Sequence, residues 1–224
     1  MKKFFAIFSL VALSLTACDK GVDANGAKGE GSVAFKVGET TEVVDTRANV
    51  SCTTPAAEDF SLRIEGVDAT YAADYDNITI FNENNYLVEG NYKAIVAAGD
   101  VKVEGYDKAA FVGSKEFAVE ARKHTDVEIT ATIANALVKV EVTEAFTNYF
   151  VGGHSLKLTT AAGNEFDVTE QTEPLFIAPG AFTVSGSAIK QPNQSGKDGV
   201  EVTLPECKNE SAAAQKLYTV KLDV

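Results

Sequence analysis

The chain has 224 residues, 45% of them hydrophobic, which is enough apolar material for a packed core. Lys and Arg total 20 against 32 Asp and Glu, a formal net charge of −12, which argues against charge-driven binding to nucleic acid or to an anionic membrane face. Trp is absent, so a sugar-stacking platform would have to come from its 7 Tyr or 13 Phe.

Met1-Lys2-Lys3 is a short basic start, and residues 4–15 are apolar apart from Ser9 and Ser14. About a dozen apolar residues make a signal-peptide core and are too few to span a hydrocarbon layer of roughly 30 Å. Leu15-Thr16-Ala17-Cys18 then sets two small residues directly before a cysteine, a pattern similar to a bacterial lipobox. In that class the thiol receives a diacylglycerol, the leader is cut before the cysteine, and the new amine is acylated. Residues 1–17 are read as a lipoprotein signal peptide, Cys18 as the lipidation site, and the lipid as the membrane partner. Each buried acyl CH₂ contributes about 0.8 kcal/mol, so several chains together hold durably. Cleavage removes Lys2 and Lys3 and leaves 18 basic against 32 acidic residues, a formal −14. Residues 18–31 continue as a Gly-, Asp- and Lys-rich tether without apolar period.

Beyond the tether, alternation with a period of two dominates. Ser32-Val33-Ala34-Phe35-Lys36-Val37 puts Val33, Phe35 and Val37 on one face, and a polar stretch at 38–57 is strand-like only around Glu42-Val43-Val44. Asp59-Phe60-Ser61-Leu62-Arg63-Ile64 separates Phe60, Leu62 and Ile64 from Ser61 and Arg63. Glu116-Phe117-Ala118-Val119, residues 126–133, 137–142, 155–159 and 217–224 repeat the pattern. Strands with one buried and one wet face imply antiparallel sheets. Gly99-Asp100, Gly152-Gly153, Ala162-Gly163-Asn164 and the 195–199 segment supply turn chemistry. Residues 144–150 predict a short helix, with Ala145, Phe146, Tyr149 and Phe150 on one side, and 211–216 a weaker second one.

One internal similarity organises the body. Tyr86-Leu87-Val88-Glu89-Gly90-Asn91-Tyr92-Lys93-Ala94 matches Phe176-Ile177-Ala178-Pro179-Gly180-Ala181-Phe182-Thr183-Val184. In each, a glycine is expected to take a turn conformation and the aromatic two residues later to enter the core. Two copies predict an all-β chain of two tandem antiparallel β-sandwich domains, prealbumin- or immunoglobulin-like, at 32–134 and 135–224, joined at Ala134-Asn135-Ala136. One larger sandwich is the alternative.

Chemistry-bearing residues are sparse. His124 follows Arg122-Lys123 and His154 follows Gly152-Gly153; both read as exposed turn residues, and neither has a second ligand at zinc spacing. Nucleophile-elbow, P-loop and dinucleotide patterns are missing, so no catalytic residue, metal or cofactor is expected and the chain reads as a non-enzyme. Cys52 and Cys207 leave two readings open: a bridge tying the start of the body to its end, or two separate thiols. Asp68, Tyr71, Asp74, Tyr75 and Asp76 form a candidate ligand loop, able to offer oxygen ligands to Ca²⁺ or carboxylate and ring contacts to a sugar. The competing reading is a plain solvated loop. Asn82-Glu83-Asn84-Asn85-Tyr86 reads as a polar turn entering a strand.

The order of segments resembles a known family. The lipobox and tether, residues 32–37, Thr46-Arg47-Ala48, residues 59–64, Glu89-Gly90-Asn91-Tyr92, residues 110–119 and residues 133–140 together are similar to Bacteroidales lipoproteins catalogued as domain of unknown function 4493. The stretch 111–119 and the Ala134-Asn135 link are its most specific parts. Glu89-Gly90 stands where that family usually has Pro-Gly, and Ala121-Arg122-Lys123-His124-Thr125 departs from its usual Ala-Gly-x-Thr; both are turn variations. The resemblance implies a cell-envelope lipoprotein, anchored in the outer membrane of a Gram-negative bacterium, with no function assigned. By looser likeness it implies a surface-exposed structural or adhesive role, fimbria-related, in which edge strands accept a partner strand. The alternative is a glycan-binding lipoprotein serving polysaccharide capture. Expected partners are the membrane through the lipid, and other surface proteins or glycans, with no nucleic acid.

Overall fold

A computed structural model describes residues 28–45, 49–68, 70–191 and 199–224. The signal peptide, Cys18, most of the tether, Thr46-Arg47-Ala48 and most of the 195–199 turn lie outside the described residues. Among the described residues the chain is all-β with two short α-helices, and no helix is long and apolar enough to cross a membrane.

The first half supplies β1 (Glu30–Thr40), β2 (Ser61–Gly66), β3 (Ala72–Tyr75), α1 (Ile78–Glu83), β4 (Tyr86–Val88), β5 (Gly90–Ala98), β6 (Gly105–Tyr106), β7 (Phe111–Val119) and β8 (His124–Ile133). All its strands except β6 join one seven-stranded sheet, ordered β3-β2-β5-β7-β8-β1-β4. The second half supplies β9 (Ala136–Val142), α2 (Glu144–Tyr149), β10 (His154–Thr160), β11 (Glu165–Asp167), β12 (Leu175–Ile177), β13 (Gly180–Lys190), β14 (Val200–Thr203), β15 (Cys207–Ala212) and β16 (Leu217–Leu222). They form a sheet β11-β10-β13-β14, with β15 also on β13, and, together with β6 from the first half, a four-stranded sheet β16-β9-β12-β6.

The alternating segments become strands with their apolar residues inside: Val33 and Phe35 on β1, Leu62 and Ile64 on β2, Val127, Ile129, Ala131 and Ile133 on β8. Both copies of the internal similarity share a device, a three-residue strand running into a long one, and both aromatics, Tyr92 and Phe182, are buried. The glycines differ, because Gly180 takes φ 154° while Gly90 has no positive φ.

Three expectations need correction. The sheets are mixed, since β1 pairs parallel to β8 and β16 parallel to β9. Alternation reports which face is wet and says nothing about strand direction. Residues 211–216 are not helical: they finish β15 and turn through Gln215 at φ 60°. The 82–86 segment is not only a turn, because Asn77 caps α1 through bonds from the Thr79 and Ile80 amides, and α1 buries Ile78 and Phe81. The helix expected at 144–150 forms as α2, capped by Thr143.

Several contacts join the two halves. At the start of β9, Leu137 packs into the first core while Ala136 and Val138 pack into the second, so this strand is buried on both faces. Glu104, just before β6, accepts hydrogen bonds from Thr160 Oγ1 (2.7 Å), Asn164 Nδ2 (2.7 Å) and the Ala178 amide (2.9 Å). Buried Asn135 accepts from the Ala110 amide at 2.7 Å through its side chain and from the Gln215 amide at 2.8 Å through its carbonyl.

Candidate functional site

The first sheet curls until its two ends face each other. Six aromatic side chains line the inside of the curl in sequence. Tyr71 meets Tyr92 (ring centroids 5.6 Å apart), Tyr92 meets Phe117 (5.7 Å), Phe117 meets Phe35 (5.4 Å), Phe35 meets Phe81 (5.1 Å), and Phe81 meets Tyr75 (5.2 Å). The Tyr71 and Tyr75 hydroxyls interact with each other and bring the two ends of the series together. Most of these rings meet edge to face, the geometry favoured by the aromatic quadrupole. Burial first, and then the neighbouring Tyr75 hydroxyl, push the Tyr71 hydroxyl well above the usual phenol range; burial raises Tyr92 as well.

Outside this ring lies a cleft of about 660 Å³. One wall is β4, the last strand of the sheet, held antiparallel to β1 with Ser32 opposite Tyr86, Gly31 opposite Leu87 and Glu30 opposite Val88. Side chains alternate across a strand, so Leu87 points inward and is 4% exposed, while Tyr86 is 62% exposed. The Val88 carbonyl faces away from β1 and accepts a 2.7 Å hydrogen bond from the Tyr92 hydroxyl. The opposite wall is the 66–71 turn, fixed by bonds from the Gly66 amide to the Tyr71 carbonyl (2.8 Å) and from the Val67 amide to the Asn91 carbonyl (2.9 Å). There Asn91 Nδ2 donates to Asp68 Oδ2 at 3.2 Å. Lys28, Glu30 and Glu89 complete the charged lining.

The five residues of the expected ligand loop are divided. Asp68 and Tyr71 line the cleft. Asp74 points outward from β3, both its carboxylate oxygens accepting from Arg63 Nη1 (2.9 and 2.8 Å), and Tyr75 packs inward on Phe81. Asp76 is exposed and does not line the cleft. Sequence reasoning missed Tyr86, Asn91 and Tyr92 as site residues, although the internal similarity runs through all three.

A second, polar cleft of about 630 Å³ lies where β6 meets the second half, lined by Tyr106, His154, Asp167, Thr169 and Glu173 among others. The Tyr106 hydroxyl donates to the Asp167 carbonyl at 3.2 Å. The hydroxyl and amide of Thr169 hold the Asp167 carboxyl below the usual carboxylate range. Both histidines open strands instead of sitting in turns: His124 Nδ1 is 2.8 Å from Ser32 Oγ at the start of β8, and His154 lies edge-on to Phe146 at the start of β10. Cys52 and Cys207 carry separate free thiols. Burial, and then Asp107, raise the Cys52 thiol above its usual value. Among the described residues, no group of three or more His, Cys, Asp or Glu is placed to hold a metal ion.

A family model described as a domain of unknown function, DUF4493, matches residues 29–224. No curated protein matches. Among solved structures, the chain is similar to a candidate cell-adhesion protein of Bacteroides ovatus, at 8% identity and a TM-score of 0.40, covering 88% of this chain and 94% of that one. It is also similar to a candidate cell-adhesion protein of Bacteroides thetaiotaomicron, at 8% identity and a TM-score of 0.37, covering 87% and 92%. A fimbrial protein of Bacteroides ovatus gives 8% identity and a TM-score of 0.37 over 88% of this chain and 49% of that one.

Proposed function

The chain belongs to the DUF4493 family, and we propose that within it this protein is a non-catalytic envelope lipoprotein, held at an outer-membrane surface by acyl groups on Cys18, whose body makes adhesive contacts. The observation that carries the adhesive reading is the open cleft beside Tyr86, backed by the circuit of six aromatic rings. Tyrosine gives a large, amphipathic contact surface at low conformational cost, and a packed aromatic backing holds that surface in place. The anchor is supported by Lys2-Lys3, the apolar run at 4–15 and Thr16-Ala17-Cys18. The six-residue outer strand β16 offers a second contact, to other surface proteins, by strand addition. Capture of glycans for polysaccharide uptake is the second reading, and the same cleft favours it.

The test has two arms. Mass spectrometry of the native protein is expected to show an acylated Cys18 as the first residue, and protease shaving of intact cells to release body peptides. An unmodified N-terminus refutes the anchor. Cells lacking the gene are expected to attach less to host or neighbouring-cell surfaces; unchanged attachment with impaired growth on a polysaccharide carbon source favours the second reading.

A further inference from the structure

We propose that the cleft between β4 and the 66–71 turn binds a neutral saccharide, with one sugar ring lying on Tyr86 and its hydroxyls bonded to Asp68 and Asn91. This rests on the adhesive reading and names the ligand chemistry for it. A pyranose has an apolar C–H face and a rim of hydroxyls that both donate and accept. Tyr86 supplies a matching apolar face: its backbone is fixed by pairing with Ser32, yet the residue is 62% exposed. Asp68 and Asn91, bonded to each other at 3.2 Å, present an acceptor-only carboxylate beside an amide that also donates, a pair suited to adjacent hydroxyls. The volume of about 660 Å³ lies within the roughly 300–1,000 Å³ that takes a ligand the size of a short oligosaccharide.

Two further observations narrow the occupant. The lining carries Glu30, Asp68 and Glu89 against Lys28, in a chain of net charge −12, so a uronic or sialic acid would enter against repulsion. A peptide strand added to β4 would have to share the outward carbonyl of Val88 with the Tyr92 hydroxyl, which already donates to it at 2.7 Å, so strand addition is disfavoured here.

The test is binding of the lipid-free chain from residue 19 onward to an immobilised panel of neutral hexose and N-acetylhexosamine oligomers beside uronic-acid and sialylated oligomers. Neutral oligomers are expected to bind, and Tyr86→Ala to weaken binding roughly tenfold or more with an unchanged melting temperature. Tyr86→Phe, which keeps the ring, is expected to restore most of it. On the panel, any of three results overturns the proposal: a blank panel, preference for the acidic oligomers, or neutral binding that ignores Tyr86→Ala. Capture of a protein at this cleft in place of a sugar overturns it as well. Cell attachment is scored separately, so a blank panel with attachment still dependent on the gene sinks the saccharide and leaves the adhesive reading standing.

Discussion

Glu104 is the single side chain whose removal should most clearly separate the two halves. It comes from the first half, and its carboxylate accepts from Thr160 Oγ1, Asn164 Nδ2 and the Ala178 amide in the second, at 2.7, 2.7 and 2.9 Å. A hydrogen bond to a charged group contributes about 1.5–3 kcal/mol, yet three bonds sharing one carboxylate do not add. Asn164 is exposed and exchanges its lost partner for water, whereas Thr160 is 6% exposed and the Ala178 amide is only partly accessible. The expected cost of Glu104→Ala is therefore set by these two groups, about 2–4 kcal/mol. Glu104→Gln keeps one acceptor oxygen but turns an NH₂ towards a donor, and should cost about half as much. Urea unfolding followed by tyrosine fluorescence and far-ultraviolet circular dichroism measures both. If the clamp couples the halves, the Ala variant also broadens or splits the transition. An Ala variant within about 0.5 kcal/mol of the parent, the range of an ordinary surface substitution, would refute the reasoning.

Three other outcomes are expected. Asn77→Ala removes the acceptor for the Thr79 and Ile80 amides at the start of α1 and should cost about 1 kcal/mol in urea unfolding, while Asn77→Asp should cost little. Asp107 is held below the usual carboxylate range by the backbone amide and hydroxyl of Thr53, both at 2.7 Å. A lowered folded-state value means that its contribution is complete above the unfolded value near 3.8 and is lost as pH falls through the folded one. Unfolding free energy measured from pH 5 to pH 2 should therefore fall less steeply in Asp107→Asn than in the parent, and superimposable slopes would contradict this. Gly186→Ala would set a Cβ 2.2 Å from the Ser155 carbonyl oxygen on the neighbouring strand, so β10 must shift, and a loss of about 1–3 kcal/mol in thermal or urea unfolding is expected.

The strands that were legible in the sequence, among them β1, β2, β8, β10 and β16, each hold a two-residue apolar period that burial preserves. What alternation does not contain is the partner. β1 and β8 lie about ninety residues apart in the chain and pair in parallel, and nothing local marks that direction. The helix α1 was missed because six residues bury only Ile78 and Phe81, too few for a periodic signal; its mark was Asn77 as a cap. The segment expected as a helix at 211–216 contains three consecutive alanines. Helix propensity there is worth only tenths of a kcal/mol per residue, and it yields to the Gln215 backbone, which donates to the Asn135 carbonyl and accepts from the Val44 amide.

The candidate site divides along the same physical line. Grouping Asp74 with Tyr75 treats their segment as a loop. Once it is strand β3, neighbours must face opposite ways, and Asp74 goes out to Arg63 while Tyr75 goes in to Phe81. The same rule applied to residues 86–88 does place Tyr86 outside and Leu87 inside. What no local rule supplies is the approach of β4 to the 66–71 turn, because the two walls sit at opposite ends of a seven-stranded sheet. They meet only because the sheet curls, and the aromatic circuit fills the inside of that curl. The cleft is thus a consequence of core packing as much as of its own lining. A change at Phe35 or Phe81, neither of which lines the cleft, would move one wall against the other, whereas a change at the exposed Tyr86 would alter the surface and leave the walls in place.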